Sequence, residues 1–191
     1  AVASATEIQS AVDRTPFHTR YILAHIDEYA DEILLTKQFA KAGGVYGSDH
    51  MTEGFSGYLC EILTIYYGGF HALLRAAATW RPGEVIDIEE HGAKEFDEPL
   101  VVIDPVDPER NVAAALSISR MFEFAELARG YLAEPSEAFF CRPLSPPLTR
   151  EVFSRLLSAR GTRLFSITFA TPDYTPDTVV PQLRKSAESI C

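Results

Sequence analysis

Apolar side chains recur at helical spacing through the first part of the chain, and a pair of helices is predicted there. The first helix is expected to start at Thr15-Pro16, because Thr can cap a helix and Pro fits its first position. The pattern continues to Phe39, with a predicted break over residues 28–31. It stops at Gly43-Gly44, a pair of residues typical of a helix end.

Two further apolar segments are separated by a pair of glycines. Ser56 is a suitable cap for a helix over residues 57–67, and Gly68-Gly69 precedes a second helical stretch over residues 70–80. Both segments are apolar on nearly every side, which is typical of buried helices. They are therefore predicted to form the centre of a helical core.

Two short runs rich in β-branched residues follow, at residues 85–88 and 100–103. The polar stretch between them predicts a β-hairpin with a long loop, near residues 85–104. Asp104-Pro105-Val106-Asp107-Pro108 is predicted to be a rigid turn, since each proline fixes φ and restricts the residue before it. Helical periodicity returns over residues 111–131.

Prolines cluster in residues 143–147, and a boundary between domains 1–142 and 143–191 is predicted there. The second domain is predicted to contain a helix over residues 149–159, a strand over 162–169 and a helix from Thr178 onward. One strand cannot form a sheet, so this domain is expected to be truncated. The predicted fold class is α+β: a mainly α-helical domain with a β-hairpin, followed by an incomplete α+β unit.

Composition and charge narrow the possible functions. Hydrophobic residues make up 47% of the 191 residues, enough for a sizeable core, and the net charge is −10. This acidic balance argues against a general nucleic-acid-binding protein, because affinity for phosphates comes from Lys and Arg. The sequence shows neither a run of roughly 20 apolar residues nor the features of a signal peptide. A cytoplasmic protein without a membrane partner is therefore expected.

His18 is the first candidate functional residue. In a helix capped by Thr15 it would fall in the first turn, where free backbone N–H groups favour an anion such as phosphate. Lys37 and Tyr46 could reach the same point through a helix hairpin. From the residues alone, ordinary surface or core positions are the stronger interpretation of these side chains, and an anion site is the alternative.

Arg110 directly follows the predicted rigid turn. Its guanidinium can present planar donors to a nucleobase edge or a phosphate. Pairing with Asp104 or Asp107 is the alternative that the local sequence favours. The histidines and cysteines show no spacing typical of metal ligands, so no metal site is predicted within this chain.

Three segments occur in an order and spacing that resemble a known family. Residues 10–18 read SAVDRTPFH, residues 54–61 read GFSGYLCE, and residues 104–114 contain DPVD followed by RNVAA. Together they resemble the archaeal (class I) CCA-adding enzymes, which are tRNA nucleotidyltransferases, and the similarity extends over nearly the whole chain. The resemblance implies a helical domain that clamps the nucleotide, followed by the start of a tRNA-binding body.

Enzymes of this family add C, C and A to the 3′ end of tRNA from CTP and ATP, without a nucleic-acid template and with Mg²⁺. The resemblance implies that His18, Lys37 and Tyr46 contact the nucleotide triphosphate, with Thr15 nearby. It also implies that Arg110 helps to read the incoming base. Catalytic residues and Mg²⁺ ligands are expected in a head that precedes the matched region, so this piece alone is expected to be inactive.

Two other functions stay open. The chain could be a fragment of a poly(A)- or oligoadenylate-type nucleotidyltransferase, whose substrate-binding helical domain is similar in outline, or a non-catalytic RNA-binding module. The expected partners are tRNA, CTP and ATP. The sequence leaves open whether the protein is a homodimer.

Overall fold

The computed structural model describes residues 11–92, 95–142, 148–168 and 174–190. The chain divides into two compact units, residues 1–142 and residues 143–191. The proline cluster stands at this division, and residues 143–147 themselves lie outside the described residues.

Helices form most of the first unit. They are α1 (Ala11–Leu23), α2 (Ile26–Ala42), α3 (Gly57–Tyr67), α4 (Phe70–Ala77), α5 (Ile118–Ala133) and a short 3₁₀ helix (Glu137–Phe140). The chain breaks between α1 and α2 at Ala24-His25, a little earlier than the sequence predicts. The predicted start and end of α3 are confirmed: Ser56 accepts a hydrogen bond from the Leu59 N–H, and Gly68 ends the helix at a φ of 75°.

The sheet has three strands in the order β1 (Glu84–Asp87), β2 (Leu100–Asp104) and β3 (Asp107–Asn111). β1 and β2 are parallel, whereas β2 and β3 are antiparallel, so the predicted hairpin near residues 85–104 is wrong. Two parallel strands must start at the same edge of the sheet, so the chain has to return to that edge between them. Residues 88–99 are a long enough connection to do so. The hairpin lies instead at the rigid turn after Asp104, and the predicted helix at residue 111 begins only after Ser117.

Thr15 and Pro16 lie inside α1, so the prediction that Thr15 caps this helix is wrong. Tertiary contacts outweigh the local signal, because Arg14 and His18, one helical turn apart, both bond to aspartates of the β2–β3 hairpin. His18 therefore does not lie in a first helical turn. The predicted anion site at a helix N-terminus is not formed there.

An aromatic cluster fills the core between α2, α4 and α5. Phe39 is its centre and is 1% exposed. Its ring centroid lies within about 6 Å of five other aromatic rings, Phe70, Phe124, Tyr131, Phe139 and Phe140. The predicted burial of α3 is also confirmed, and Cys60 within it is 1% exposed, which raises the pKa of its thiol to about 12.

The second unit contains α6 (Arg150–Arg160) and α7 (Pro176–Ile190). Thr149 caps α6 and Gly161 ends it, so the helix predicted over residues 149–159 is confirmed with a shift of one residue at each end. The predicted strand is not formed over residues 162–168, and the described part of this unit, residues 148–168 and 174–190, contains no strand with which it could pair. Phe169 lies outside the described residues. With a helical first unit and one small sheet, the predicted α+β class is confirmed.

Candidate functional site

Asp104 ends the central strand β2 and is fully buried. Its Oδ2 atom lies 2.9 Å from Nε2 of His18 on α1 and 2.6 Å from a terminal nitrogen of Arg110 on β3. Its Oδ1 atom accepts hydrogen bonds from the Tyr58 hydroxyl at 3.3 Å and from the Val106 N–H at 3.1 Å. One carboxylate therefore joins α1, α3 and β3.

The electrostatic state of this cluster follows from its partners. Burial would raise the pKa of the Asp104 carboxyl, but the hydrogen bonds from His18, Val106 and Arg110 outweigh it and hold that pKa below its ordinary value. The carboxylate is thus ionised at neutral pH and only accepts hydrogen bonds. Because of this, Nε2 of His18 must carry the proton shared with Asp104.

Tyr58 packs against the face of the His18 ring. The two rings stack with centroids 4.0 Å apart. Burial and the nearby negative charge of Asp104 raise the pKa of Tyr58, so its hydroxyl stays protonated and donates to that carboxylate. The His18 ring is therefore fixed through both its face and one nitrogen.

Thr15 and His18, one helical turn apart on α1, line a cleft of about 350 Å³ between α1 and α3. Tyr58 and Glu61 line its other side. Glu61 is half-buried and lies 2.5 Å from Nζ of Lys37 on α2. The structure thus brings two of the predicted residues, Thr15 and His18, together in this cleft. Lys37 does not line it, but is bonded to Glu61, which does.

Tyr46 is not one of the residues that line this cleft, and it packs against the loop before α3 and the first residue of that helix. Its backbone bridges Phe55, and Nζ of Lys41 lies 4.9 Å from the centroid of its ring. A Cβ atom at Gly57 would lie 3.0 Å from the Tyr46 hydroxyl, and one at Gly54 would lie 2.0 Å from the Val45 carbonyl oxygen. The two glycines of the GFSGY motif therefore allow this close approach.

Arg110 lines a second cleft, of about 480 Å³, together with Arg14, Ser56 and Glu98. The alternative that the local sequence favoured for Arg110, an ion pair with Asp104, is what the structure contains. Arg14 pairs with Asp107 at 2.7 Å. The two clefts are joined through Asp104, which contacts His18 in one and Arg110 in the other.

Sequence reasoning missed the contact between His18 and Asp104 and the part that Tyr58 plays in it. Both Tyr58 and Asp104 stand within the motifs, so the motifs do mark them. Their contacts with His18, however, join residues far apart in the sequence: His18 and Asp104 are separated by 86 positions. No local sequence pattern predicts such a contact.

Within the described residues, no group of three or more His, Cys, Asp or Glu side chains is arranged to hold a metal ion. The same part of the chain contains no helix that combines the length and the apolar character needed to cross a membrane. The arrangement places donors from His18, Tyr58 and Arg110 around the buried carboxylate of Asp104.

Comparison with known proteins finds two matching families. Residues 31–141 match the family described as tRNA nucleotidyltransferase, second domain, and residues 160–191 match the family described as CCA-adding enzyme, C-terminal domain. CCA-adding enzymes of Methanoregula boonei, Methanosarcina barkeri and Haloarcula marismortui are 63%, 49% and 50% identical over 99–100% of this chain. The chain spans 41–42% of the length of these relatives. This chain belongs to the family of the archaeal CCA-adding enzymes.

Proposed function

We propose that this chain is the nucleotide-clamping and partial tRNA-binding portion of an enzyme that adds C, C and A to the 3′ end of tRNA. The substrates of the whole enzyme would be tRNA, CTP and ATP. The observation that carries the proposal is the linkage of His18 and Arg110 through buried Asp104. It joins a candidate triphosphate ligand to a candidate base reader in a chain of this family.

The phosphate side of the site rests on His18, Lys37 and Thr15. In nucleotidyl transfer the departing pyrophosphate gathers negative charge, so cations and donors directed at the β- and γ-phosphates stabilise the transition state. Nζ of Lys37 is bonded to Glu61 here, and an ammonium has further donors that can bond a phosphate. Tyr46 would join this group through its hydroxyl beside the start of α3.

The base side rests on Arg110. Cytosine and adenine both present a ring nitrogen acceptor next to an exocyclic amino group, whereas uracil presents a ring N–H in the equivalent place. A guanidinium only donates, so it favours the acceptor of cytosine or adenine and leaves the N–H of uracil unpaired. Arg110 would thus help to select the two nucleotides of the CCA sequence.

Mg²⁺, when bound, would activate the 3′ hydroxyl and orient the α-phosphate. The described residues do not provide a set of ligands that fits it. Its ligands are therefore proposed to lie in the part of the longer protein that this chain does not span. For the same reason the isolated 191-residue chain is proposed to be inactive.

The test is an extension assay with the full-length protein, a tRNA that lacks CCA, and labelled CTP and ATP. We expect a product that stops after three added nucleotides. His18→Ala and Lys37→Ala should raise KM for both CTP and ATP by roughly 10- to 100-fold, because each loses a charge-assisted hydrogen bond to phosphate. Arg110→Ala should instead raise the incorporation of UTP relative to CTP.

Arg129→Ala is the matched control, because it removes an exposed arginine that pairs with Glu126 on α5. It should leave both measurements unchanged. Long A-tails would favour the poly(A)-type alternative, and no incorporation would favour the RNA-binding alternative. A loss confined to one nucleotide in His18→Ala would contradict the phosphate role.

A further inference from the structure

Two side chains on different elements share one carboxylate oxygen. Nε2 of His18 and a terminal nitrogen of Arg110 both bond to Oδ2 of Asp104, at 2.9 and 2.6 Å. His18 and Arg110 themselves lie on α1 and β3, and they face different clefts. Whatever moves one of these donors away from Oδ2 leaves more of the negative charge on that oxygen to the other.

Building on the proposed function, we propose that Asp104 is a positioning residue that couples the triphosphate contact of His18 to the base reading of Arg110. The buried carboxylate fixes Nε2 as a protonated nitrogen of His18. It thereby leaves Nδ1, which has no hydrogen-bond partner among the described residues, facing the phosphate. As an imidazolium, His18 donates through Nε2–H to Asp104 and through Nδ1–H to a phosphate oxygen.

The same carboxylate also holds Arg110. The guanidinium has five N–H donors, so it can turn part of its fork to a base edge while keeping Asp104, or it can leave Asp104 altogether. In the second case Oδ2 is left to His18 alone, and the His18–Asp104 bond strengthens. A base that engages Arg110 would in this way tighten the hold on the triphosphate.

Tyr58 and Val106 fix the orientation of the Asp104 carboxylate. Both donate to Oδ1 of Asp104. The carboxylate therefore cannot rotate freely to give His18 and Arg110 one oxygen each. The full burial of the carboxylate also excludes water as a replacement partner. Movement of Arg110 therefore changes the His18–Asp104 hydrogen bond, because no water can take the place of Arg110 at Oδ2.

The first test needs no nucleotide and no activity. Full-length protein labelled with ¹⁵N-histidine is examined by long-range ¹H–¹⁵N spectra, with the His18 signals assigned from His18→Gln. We expect Nε2 of His18 to be protonated in the wild type and to lose this preference in Asp104→Asn. Asp107→Asn is the matched control, since it makes the same change three residues away and breaks only the ion pair to Arg14.

The second test measures kinetics on the same proteins. Asp104→Asn should raise KM for CTP and ATP by roughly 10- to 100-fold and also weaken discrimination against UTP, because His18 and Arg110 both lose their charged acceptor. His18→Gln should produce the first effect. Arg110→Gln should produce the second and also shift KM for both nucleotides, because Oδ2 of Asp104 is then left to His18 alone. Asp107→Asn should stay within about threefold of the wild type on both measures.

The outcomes separate the two proposals. If the wild type adds no nucleotides, the proposed function fails, whereas the spectra still decide what Asp104 does to His18. A wild-type His18 protonated only on Nδ1 would overturn the positioning role, even if Asp104→Asn does not fold. So would an Asp104→Asn protein that folds and keeps both its KM values and its nucleotide choice.

Discussion

Two buried side chains organise the first unit in opposite ways. Phe39 is surrounded by five aromatic rings, whose contacts depend on shape and area rather than on a single atom pair. Asp104 is surrounded by four donors, each directed at a particular oxygen. Burial therefore contributes stability in the aromatic cluster. In the carboxylate cluster, formed by Asp104 and its four donors, it fixes the geometry of the side chains.

The largest expected effect is on the aromatic side. Phe39→Ala should lower the free energy of unfolding by about 3–5 kcal/mol, because it removes a buried ring and leaves a cavity among rings that cannot fully collapse. The midpoint of urea unfolding of the full-length protein measures this loss. Phe39→Leu, which keeps most of the volume, is the control and should cost less.

Phe39→Ala also sharpens the comparison, because its surviving folded fraction should keep the nucleotide choice of the wild type. The carboxylate cluster does not include Phe39, so discrimination between CTP and UTP should not change with it. A mutant of nearly wild-type stability, or one that loses nucleotide choice, would contradict this division of roles.

The next effect depends on pH and lies on the carboxylate side. The pKa of Asp104 is lowered in the folded protein, so its contribution to stability is present above the pKa of the unfolded state and is lost as pH falls through the folded value. Asp104→Asn should cost about 1–3 kcal/mol at pH 7, because buried donors lose a charged acceptor. The difference from the wild type should shrink below about pH 4.

Chemical unfolding at a series of pH values measures this effect. Phe39→Leu is a useful reference, because no charge changes and its cost should stay nearly constant over the same range. A cost of Asp104→Asn that does not fall in acid would mean that the lost interaction is not the ionised carboxylate.

The sequence predicts those features of the fold that depend on neighbouring residues. The Ser56 cap, the Gly68 end and the apolar faces of α3 and α4 follow from a few consecutive side chains each, and all are confirmed. The parallel pairing of β1 with β2 depends on where a long connection leads the chain, which no local pattern determines. Thr15 shows the same limit, since distant contacts of its neighbours extend α1 past it.

The candidate site divides along the same line. The local sequence singles out His18 by its predicted place in a first helical turn and Arg110 by the rigid turn before it, whereas Lys37 enters only through a predicted helix hairpin. It does not reveal that His18 and Arg110 share Asp104, since that depends on bringing α1 and β3 to the end of one strand. The pairing of Arg110 with Asp104 was therefore within reach of the local sequence, and the contact of His18 with the same carboxylate was not.

A smaller effect is expected at the helix that connects the two clusters. α3 presents Tyr58 to the carboxylate cluster, whereas Leu59 and Leu63 belong to the core. Ser56→Ala should cost about 1 kcal/mol, because the Leu59 N–H loses its cap. Ser56→Thr, which keeps the hydroxyl, should restore most of this loss in thermal or urea unfolding.

The smallest effect is expected at an exposed ion pair, and it decides what the comparison rests on. Arg120 and Glu123 lie 2.5 Å apart, about as close as Arg110 and Asp104, but 49% of the Glu123 side chain is exposed. Glu123→Gln should therefore change the free energy of unfolding by no more than about 0.5 kcal/mol, because solvent screens such pairs. Unlike the cost of Asp104→Asn, the cost of Glu123→Gln should not change as the pH is lowered. A larger loss would mean that short ion pairs stabilise this protein wherever they occur, and burial would then no longer distinguish Asp104.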